Sequence, residues 1–547
     1  MKIFEGKYKF WVECWGIVFS ALALVYSFYI SNFIIGNHDW RFIRYGVPFD
    51  VGFGEGRVSQ FFIVWGLFDG HLLPCIEVLV GIGFFSAAMV LLAKWYELPK
   101  KYQIVVLFAL MAGVHPYLLT QLYYAHSVCS IFFWYFCCMS GMLCCWKFSL
   151  GCGKRYLFLG NFLIFIALMG YVSSLQMVLV CSLAKVLIDF LKSKRVREVP
   201  FKKVVLYFLI VFLVAIEAFL VMMVLKKTGV INVSMYNVHI LPVKDILHKF
   251  QQLWFAPFNM MFFPTGFEKG WVLYLLPLLC LFVLIRAFFI SRTKFLISFI
   301  FLAAILYASF IFAYLSPYDA FHMFRVNAYS VPFLFSIVFA LVFVTPLFSK
   351  LLSNAAFLCA LVFIVESVKT DILTQKVWLF GDKQDSFAVE RIKADILPKM
   401  DKEHYRLAVL GGLYGRRKFA NRPYLGDVYN EIMREYYGSS YLHIGDSDIL
   451  FGYEGTNPIW GEARITWGQL FYDVSNEQLA AEDEYAARRF SRHYGEKAKY
   501  LLDDVRRLGV FPDKNYSIVG EKEVIIRLAP AEEMMQALER DLERENP

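Results

Sequence analysis

The chain has 547 residues, of which 59% are hydrophobic and only 18% charged, with a mean hydropathy of +0.52. An ordinary soluble domain is about 25% charged, so a single water-soluble fold is excluded. The net charge of +9 is uneven, because residues 1–367 hold 29 Lys and Arg against 15 Asp and Glu while the remainder holds 26 against 31. A basic excess in short loops between apolar runs is a topology signal whose nearest partner is membrane lipid, and nucleic acid is not implied.

A crossing needs about 20 largely apolar residues, and this criterion proposes runs near 12–36, 71–93, 103–123, 127–146 and 155–171, then 173–191, 204–225, 271–289, 295–315, 329–348 and 351–368. The expected fold is a polytopic α-helical membrane protein with about eleven transmembrane helices in residues 1–368 and a soluble domain in 369–547. The first run, 11–35, is too long for a signal-peptide core and counts as a span. A cytoplasmic N-terminus collects Lys94, Lys100, Lys101, Lys147, Lys154, Arg155, the Lys192 to Lys203 cluster, Arg286, Arg292 and Lys294 on the inner side, as the positive-inside rule requires. An odd number of crossings then sends the soluble domain outward. That domain alternates helix-like stretches (387–400, 427–437, 476–494, 531–543) with strand-like Arg406–Leu410 and the pair 516–519 and 524–528, an α/β or α+β pattern. All eleven cysteines lie in or beside apolar runs; Cys137, Cys138, Cys144 and Cys145 have no zinc spacing and read as packing residues.

Ionisable groups concentrate in the first outward loop, which carries His38-Asp39-Trp40-Arg41, Arg44, Glu55-Gly56-Arg57 and Asp69. Asp39 follows the first span closely. A carboxylate there suits a general base that takes the proton of an acceptor hydroxyl, while arginines neutralise a leaving phosphate. The alternative is that Asp39 pairs with Arg41 or Arg44 to anchor the loop. The third outward loop offers His322 and Arg325, the latter matching phosphate geometry with its planar fork or else snorkelling or pairing with Asp319. Trp254, Phe258, Phe262 and Phe263 read as an interfacial segment, able either to close over a lipid-linked donor or to serve as a plain amphipathic lid. Tyr171 to Gln176 and His115-Pro116 place polar groups within spans, where they face a cavity or another helix.

His38-Asp39-Trp40-Arg41 after the first span, Gly56-Arg57, Tyr171 to Gln176 and Phe324-Arg325 together give a layout that resembles the Gtr-type O-antigen glucosyltransferases of the GT-C class over residues 10–370. The resemblance implies a bacterial inner-membrane enzyme that moves a glucosyl unit from a polyprenyl-phosphate donor to a glycan acceptor, lipopolysaccharide O-antigen, on the periplasmic face. It further implies Asp39 as base, Arg41, Arg57 and Arg325 holding phosphate or sugar hydroxyls, and Glu55 or Asp69 orienting the acceptor. Asp39 and Glu55 are thus the candidate catalytic carboxylates, and Arg41, Arg44, Arg57, Asp69, His322 and Arg325 the candidate substrate-binding residues. A single leaving phosphate neutralised by arginines needs no metal or other cofactor, although the loop carboxylates offer oxygen ligands for Mg²⁺ or Mn²⁺. Tyr436, Tyr437, Tyr441, Trp460 and Trp467 of the tail stack on sugar rings or pack in a core. The rival reading is a transporter or flippase of a lipid-linked saccharide, which needs functional charge through the bilayer rather than at one face.

Overall fold

In hydrocarbon every main-chain polar group must be bonded within the protein, which makes the helix the natural form for long apolar runs. A computed structural model describes residues 8–32, 47, 57–122, 125–193, 200–231, 241–258, 270–316, 324–344, 350–396, 406–410, 508–509, 514–519 and 523–527. Helices α1 (Lys9–Val25), α2 (Ser27–Ser31), α3 (Val58–Phe68), α4 (Pro74–Trp95), α5 (Tyr102–Gly113) and α6 (Pro116–Leu122) come first. They are followed by α7 (Ala125–Ser149), α8 (Gly153–Gly170), α9 (Ser174–Lys192), α10 (Phe201–Lys227) and the short α11 (Val243–Leu253). Helices α12 (Leu275–Ile290), α13 (Arg292–Ala308), α14 (Ile311–Leu315), α15 (Phe324–Asn327), α16 (Val331–Val344) and α17 (Lys350–Ile396) complete the set.

Among the described residues seven helices are long and apolar enough to cross a membrane: Pro74–Trp95, Ser127–Ser149, Gly153–Gly170, Ser174–Lys192, Phe201–Lys227, Val272–Ile290 and Leu351–Lys376. The chain is a polytopic helical membrane protein. Each of the seven coincides with an expected span. The other four expected spans fall on shorter helices, and three of those runs are interrupted within the described residues. Pro116 bars the helical conformation at His115, and the His115 ring accepts a hydrogen bond from the Tyr117 amide (3.1 Å) at the new helix start. The first run breaks at Tyr26, whose hydroxyl donates to the Gly113 carbonyl (2.6 Å) at the end of α5. The run 295–315 breaks at Ser309, whose hydroxyl turns back on the Ile305 carbonyl (2.9 Å).

Helices α7 and α9 are central, with 78% of their spans buried against 22% for α10. The α7–α8 crossing depends on small residues, as close contact does when apolar side chains gain nothing by leaving lipid. A Cβ at Gly160 would meet the Gly141 carbonyl at 3.1 Å and the Cys145 amide at 2.9 Å. Bulky residues on the outer helices, among them Phe212, Leu213, Phe288 and Phe299, are exposed and form the lipid-facing surface.

One end of the bundle is rich in cations. There Lys185 Nζ donates to Asp189 (2.7 Å) and Glu97 (3.4 Å), Lys192 Nζ donates to Glu97 (2.9 Å), and Lys294 Nζ caps the carbonyls of Leu191 (3.1 Å) and Ser193 (2.5 Å). Glu97 adopts a left-handed backbone, φ 56°, which a non-glycine residue accepts at a cost its two lysines offset. Burial alone would raise its carboxyl pKa, but the Lys192 hydrogen bond and the charges of Lys185 and Lys192 outweigh it, so the group titrates below its usual 4.5. A depressed carboxylate contributes stability above its ordinary pKa and loses it as pH falls through the lowered one. Glu97→Gln is therefore expected to unfold at a lower temperature than the parent at pH 7, the gap closing in acid below about pH 4.5. The side chain is 65% exposed, so the difference is small; thermal unfolding of both proteins across pH measures it.

The larger compact unit takes in Met1–Ser31 and Val47–Leu373, and the second takes in Asn32–Gly46 and Thr374–Pro547. In the second unit β3 (Glu523–Arg527) pairs in parallel with β1 (Arg406–Leu410) and antiparallel with β2 (Ser517–Val519). Tyr516 donates to Asp395 (3.1 Å) near the end of α17. These strands lie where the sequence expects them. The expected helices 427–437, 476–494 and 531–543, and the tail aromatics Tyr436 to Trp467, lie outside the described residues.

Candidate functional site

At the end of the bundle opposite the Glu97 network, a small cleft is lined by Arg57, Gln121, Ser127, Ile131, Trp134, Tyr171 and Tyr329. Apart from Ile131 and Trp134, which lie further along α7, each residue comes from a helix end or break. Arg57 precedes α3, Gln121 closes α6, Ser127 opens α7, Tyr171 sits in the α8–α9 turn and Tyr329 lies between α15 and α16. Helices must end here because the chain turns back, and such ends are where polar side chains survive beside an apolar bundle.

A column of rings forms the wall. Trp134 and Tyr171 are parallel, 6.5 Å between centroids and 3° between planes; Tyr171 stacks on Tyr329 at 5.2 Å, and Tyr329 meets Tyr135 edge-on at 4.9 Å. The Arg57 guanidinium lies 5.6 Å from the Tyr171 ring centre, within cation–π range, so its donors are held in a fixed plane. Tyr135 is tied off by a hydrogen bond to the Ala328 carbonyl (3.0 Å). By contrast, the Trp134 indole N–H and the Tyr329 hydroxyl, both about 1% exposed, meet no hydrogen-bond partner among the described residues. Buried donors left in that state cost about 1–3 kcal/mol each, and a ligand with acceptor oxygens recovers it. The cleft thus combines one guanidinium, two orphaned donors, an amide, a hydroxyl and flat apolar faces. That set fits a phosphate joined to a sugar ring.

Of the residues the sequence nominates, the cleft contains Arg57. Asp69 caps the far end of α3 in a left-handed conformation, φ 50°; the eleven residues of the helix between them put it about 18 Å from Arg57 along the axis. Arg325 lies on α15, which packs against α6, the helix that carries Gln121; its side chain lies outside the described residues, as do Asp39, Arg41, Arg44, Glu55 and His322. Among the described residues no three His, Cys, Asp or Glu side chains gather as a metal-binding group. Sequence reasoning misses Gln121, Ser127, Trp134 and Tyr329, which are about 200 residues apart at the extremes and share no local pattern. The available signal was a polar residue at the end of an apolar run.

Gly170 sets the position of the ring wall. A Cβ there would overlap the Trp134 indole ring, which is buried and has no space to swing away. Gly170→Ala is expected to destabilise the fold by about 1–3 kcal/mol, the usual cost of overpacking, and to change the near-ultraviolet circular dichroism as Trp134 leaves Tyr171. Gly16→Ala is the control, since a Cβ there meets nothing within 4 Å. A thermal midpoint that falls equally in both variants would contradict the assignment.

No protein-family model and no curated protein sequence matches this chain.

Proposed function

We propose that the chain is a GT-C-type membrane glycosyltransferase that moves a hexosyl unit, glucosyl in the O-antigen setting, from a polyprenyl-phosphate donor to a cell-surface glycan such as lipopolysaccharide O-antigen. The observation that carries this reading is the Arg57 guanidinium held over Tyr171 in an aromatic cleft with two orphaned donors. The phosphate sits against Arg57, the sugar face against the Tyr171 and Trp134 rings, and the lipid tail in the bilayer beside the bundle. Asp39 acts as general base on the acceptor hydroxyl: its proton passes to the carboxylate, the new glycosidic bond forms at the anomeric carbon, and the bond to phosphate oxygen breaks with its electrons on the lipid phosphate. Arg57 neutralises the departing charge, with Arg41 and Arg325 as further phosphate or hydroxyl ligands and Glu55 orienting the acceptor; Asp69, at the far end of α3, is too distant for that role.

Asp39 lies outside the described residues, in the stretch that follows α2. Before that stretch, Tyr29 of α2 donates to the Leu122 carbonyl, next to Gln121 of the cleft. The cation-rich end around Glu97 supports a cytoplasmic location for that end and an outer, periplasmic one for the cleft in a bacterial inner membrane; the odd number of crossings read from the sequence is what sends the C-terminal domain to the periplasm. A transport path is less well supported, because Tyr26, Tyr96 and Tyr135 inside the bundle spend their hydroxyls on main-chain carbonyls.

Membranes carrying the chain, given radiolabelled polyprenyl-phosphate glucose and an acceptor glycan, are expected to transfer label equally with and without EDTA, because arginine rather than a metal neutralises the phosphate. Transfer abolished by EDTA and restored by Mg²⁺ or Mn²⁺ would replace arginine by a metal. No transfer in either condition, with label crossing the membrane instead, would favour the transporter.

A further inference from the structure

Helix α11 is too short to span a bilayer, at eleven residues and about 16 Å, and it divides its surface three ways. Counted at about 100° per residue, one edge carries Ile246, Lys249, Phe250 and Leu253. This edge docks on the bundle: Lys249 Nζ donates to the Ser316 carbonyl (2.8 Å), and Phe250 packs on Tyr307 (5.5 Å) and Tyr314 (5.2 Å). The hydroxyls of Tyr314 and Tyr307 hold the helix end through the carbonyls of Leu253 (3.0 Å) and Trp254 (2.7 Å). The next edge is apolar yet uncovered: Val243, Leu247, Phe250 and Trp254 are 73%, 59%, 43% and 54% exposed. The third face holds Lys244, Asp245, His248, Gln251 and Gln252.

The docking contacts fix where this helix lies. Tyr307 is in the last turn of α13, and Ser309 beyond it accepts a hydrogen bond from Ser330 (2.7 Å), next to Tyr329 of the cleft. Helix α11 is therefore at the level where the spans end, on the cleft side. The helix it docks on, α13, exposes apolar side chains of its own at Leu296, Phe299 and Ile300, so both elements present hydrocarbon outward. Four side chains cannot make a stable protein contact, which takes about 800 Å² per partner. A helix gripped on one edge, apolar on the next and polar on the third has the pattern of one lying in the headgroup layer.

We infer that α11 is an interfacial helix embedded in the phospholipid leaflet on the cleft side, with Val243, Leu247, Phe250 and Trp254 in the acyl boundary and Lys244 and His248 among the headgroups. The inference is independent of any transfer activity. It extends upstream, onto α11, the interfacial stretch from Trp254 to Phe263 that the sequence suggests, of which Phe262 and Phe263 lie outside the described residues.

The test uses the full chain in phospholipid nanodiscs, wild type and Trp254→Phe, the difference between their emission spectra isolating Trp254. Brominated acyl chains are expected to quench that component at least twofold, with aqueous iodide leaving it unchanged. Quenching by iodide but not by brominated lipid would overturn the inference, since the edge would then face water. Insensitivity to both would also overturn it, since protein and not lipid would then cover Trp254.

Discussion

Asp39→Ala is expected to lower sugar transfer by about 10²–10⁴-fold, the range that a positioned general base supplies. The acceptor is a neutral sugar hydroxyl that must lose its proton as the new bond forms. On the proposed mechanism the carboxylate follows the first apolar run, where lower local dielectric would strengthen its pairing with nearby arginines, and the same arginines would serve the phosphate. The effect falls on kcat, because proton removal belongs to the transition state and not to donor binding. Asp39→Asn keeps the shape and loses the base, so its deficit is expected to match that of alanine. A loss confined to KM in either variant would assign Asp39 to binding.

Arg57→Ala is expected to weaken donor use by about 10–150-fold, the equivalent of the 1.5–3 kcal/mol carried by a hydrogen bond to a charged group. Here the loss is shared between KM and kcat, since Arg57 meets a phosphate whose charge grows as it departs. Arg57→Lys keeps the charge but gives up the planar fork and the flat contact with Tyr171, and recovers only part of the activity. Donor kinetics of the three proteins at matched expression measure both effects.

The membrane architecture is legible because lipid imposes one rule on every span: about 20 apolar residues with main-chain bonds satisfied inside the helix. Seven spans obey it directly. The breaks at Tyr26, His115 and Ser309 are harder to read, because only His115 has a local cause in the sequence, the following proline. Tyr26 and Ser309 break where hydrogen bonds to distant or backward carbonyls become available, and those partners emerge only in three dimensions. The site is divided in the same way. Arg57 and Tyr171 stand out as a charge and a polar interruption beside long apolar runs. Trp134 and Tyr329 look like two more aromatics in a chain holding 12 Trp and 32 Tyr, and their unpaired donors become visible only once the helices pack. Gly170 is silent for the same reason, since what it leaves room for lies 36 positions away.

The most direct test of the account is photocrosslinking of the purified chain in lipid nanodiscs with a polyprenyl-phosphate sugar that carries a photoreactive group on the sugar, followed by peptide mapping. The account predicts labelling of the start of α7 and the α8–α9 turn, at Trp134 or Tyr171, suppressed by unlabelled donor and lost in Arg57→Ala. Competable labelling elsewhere in the bundle, with the cleft untouched, would contradict it.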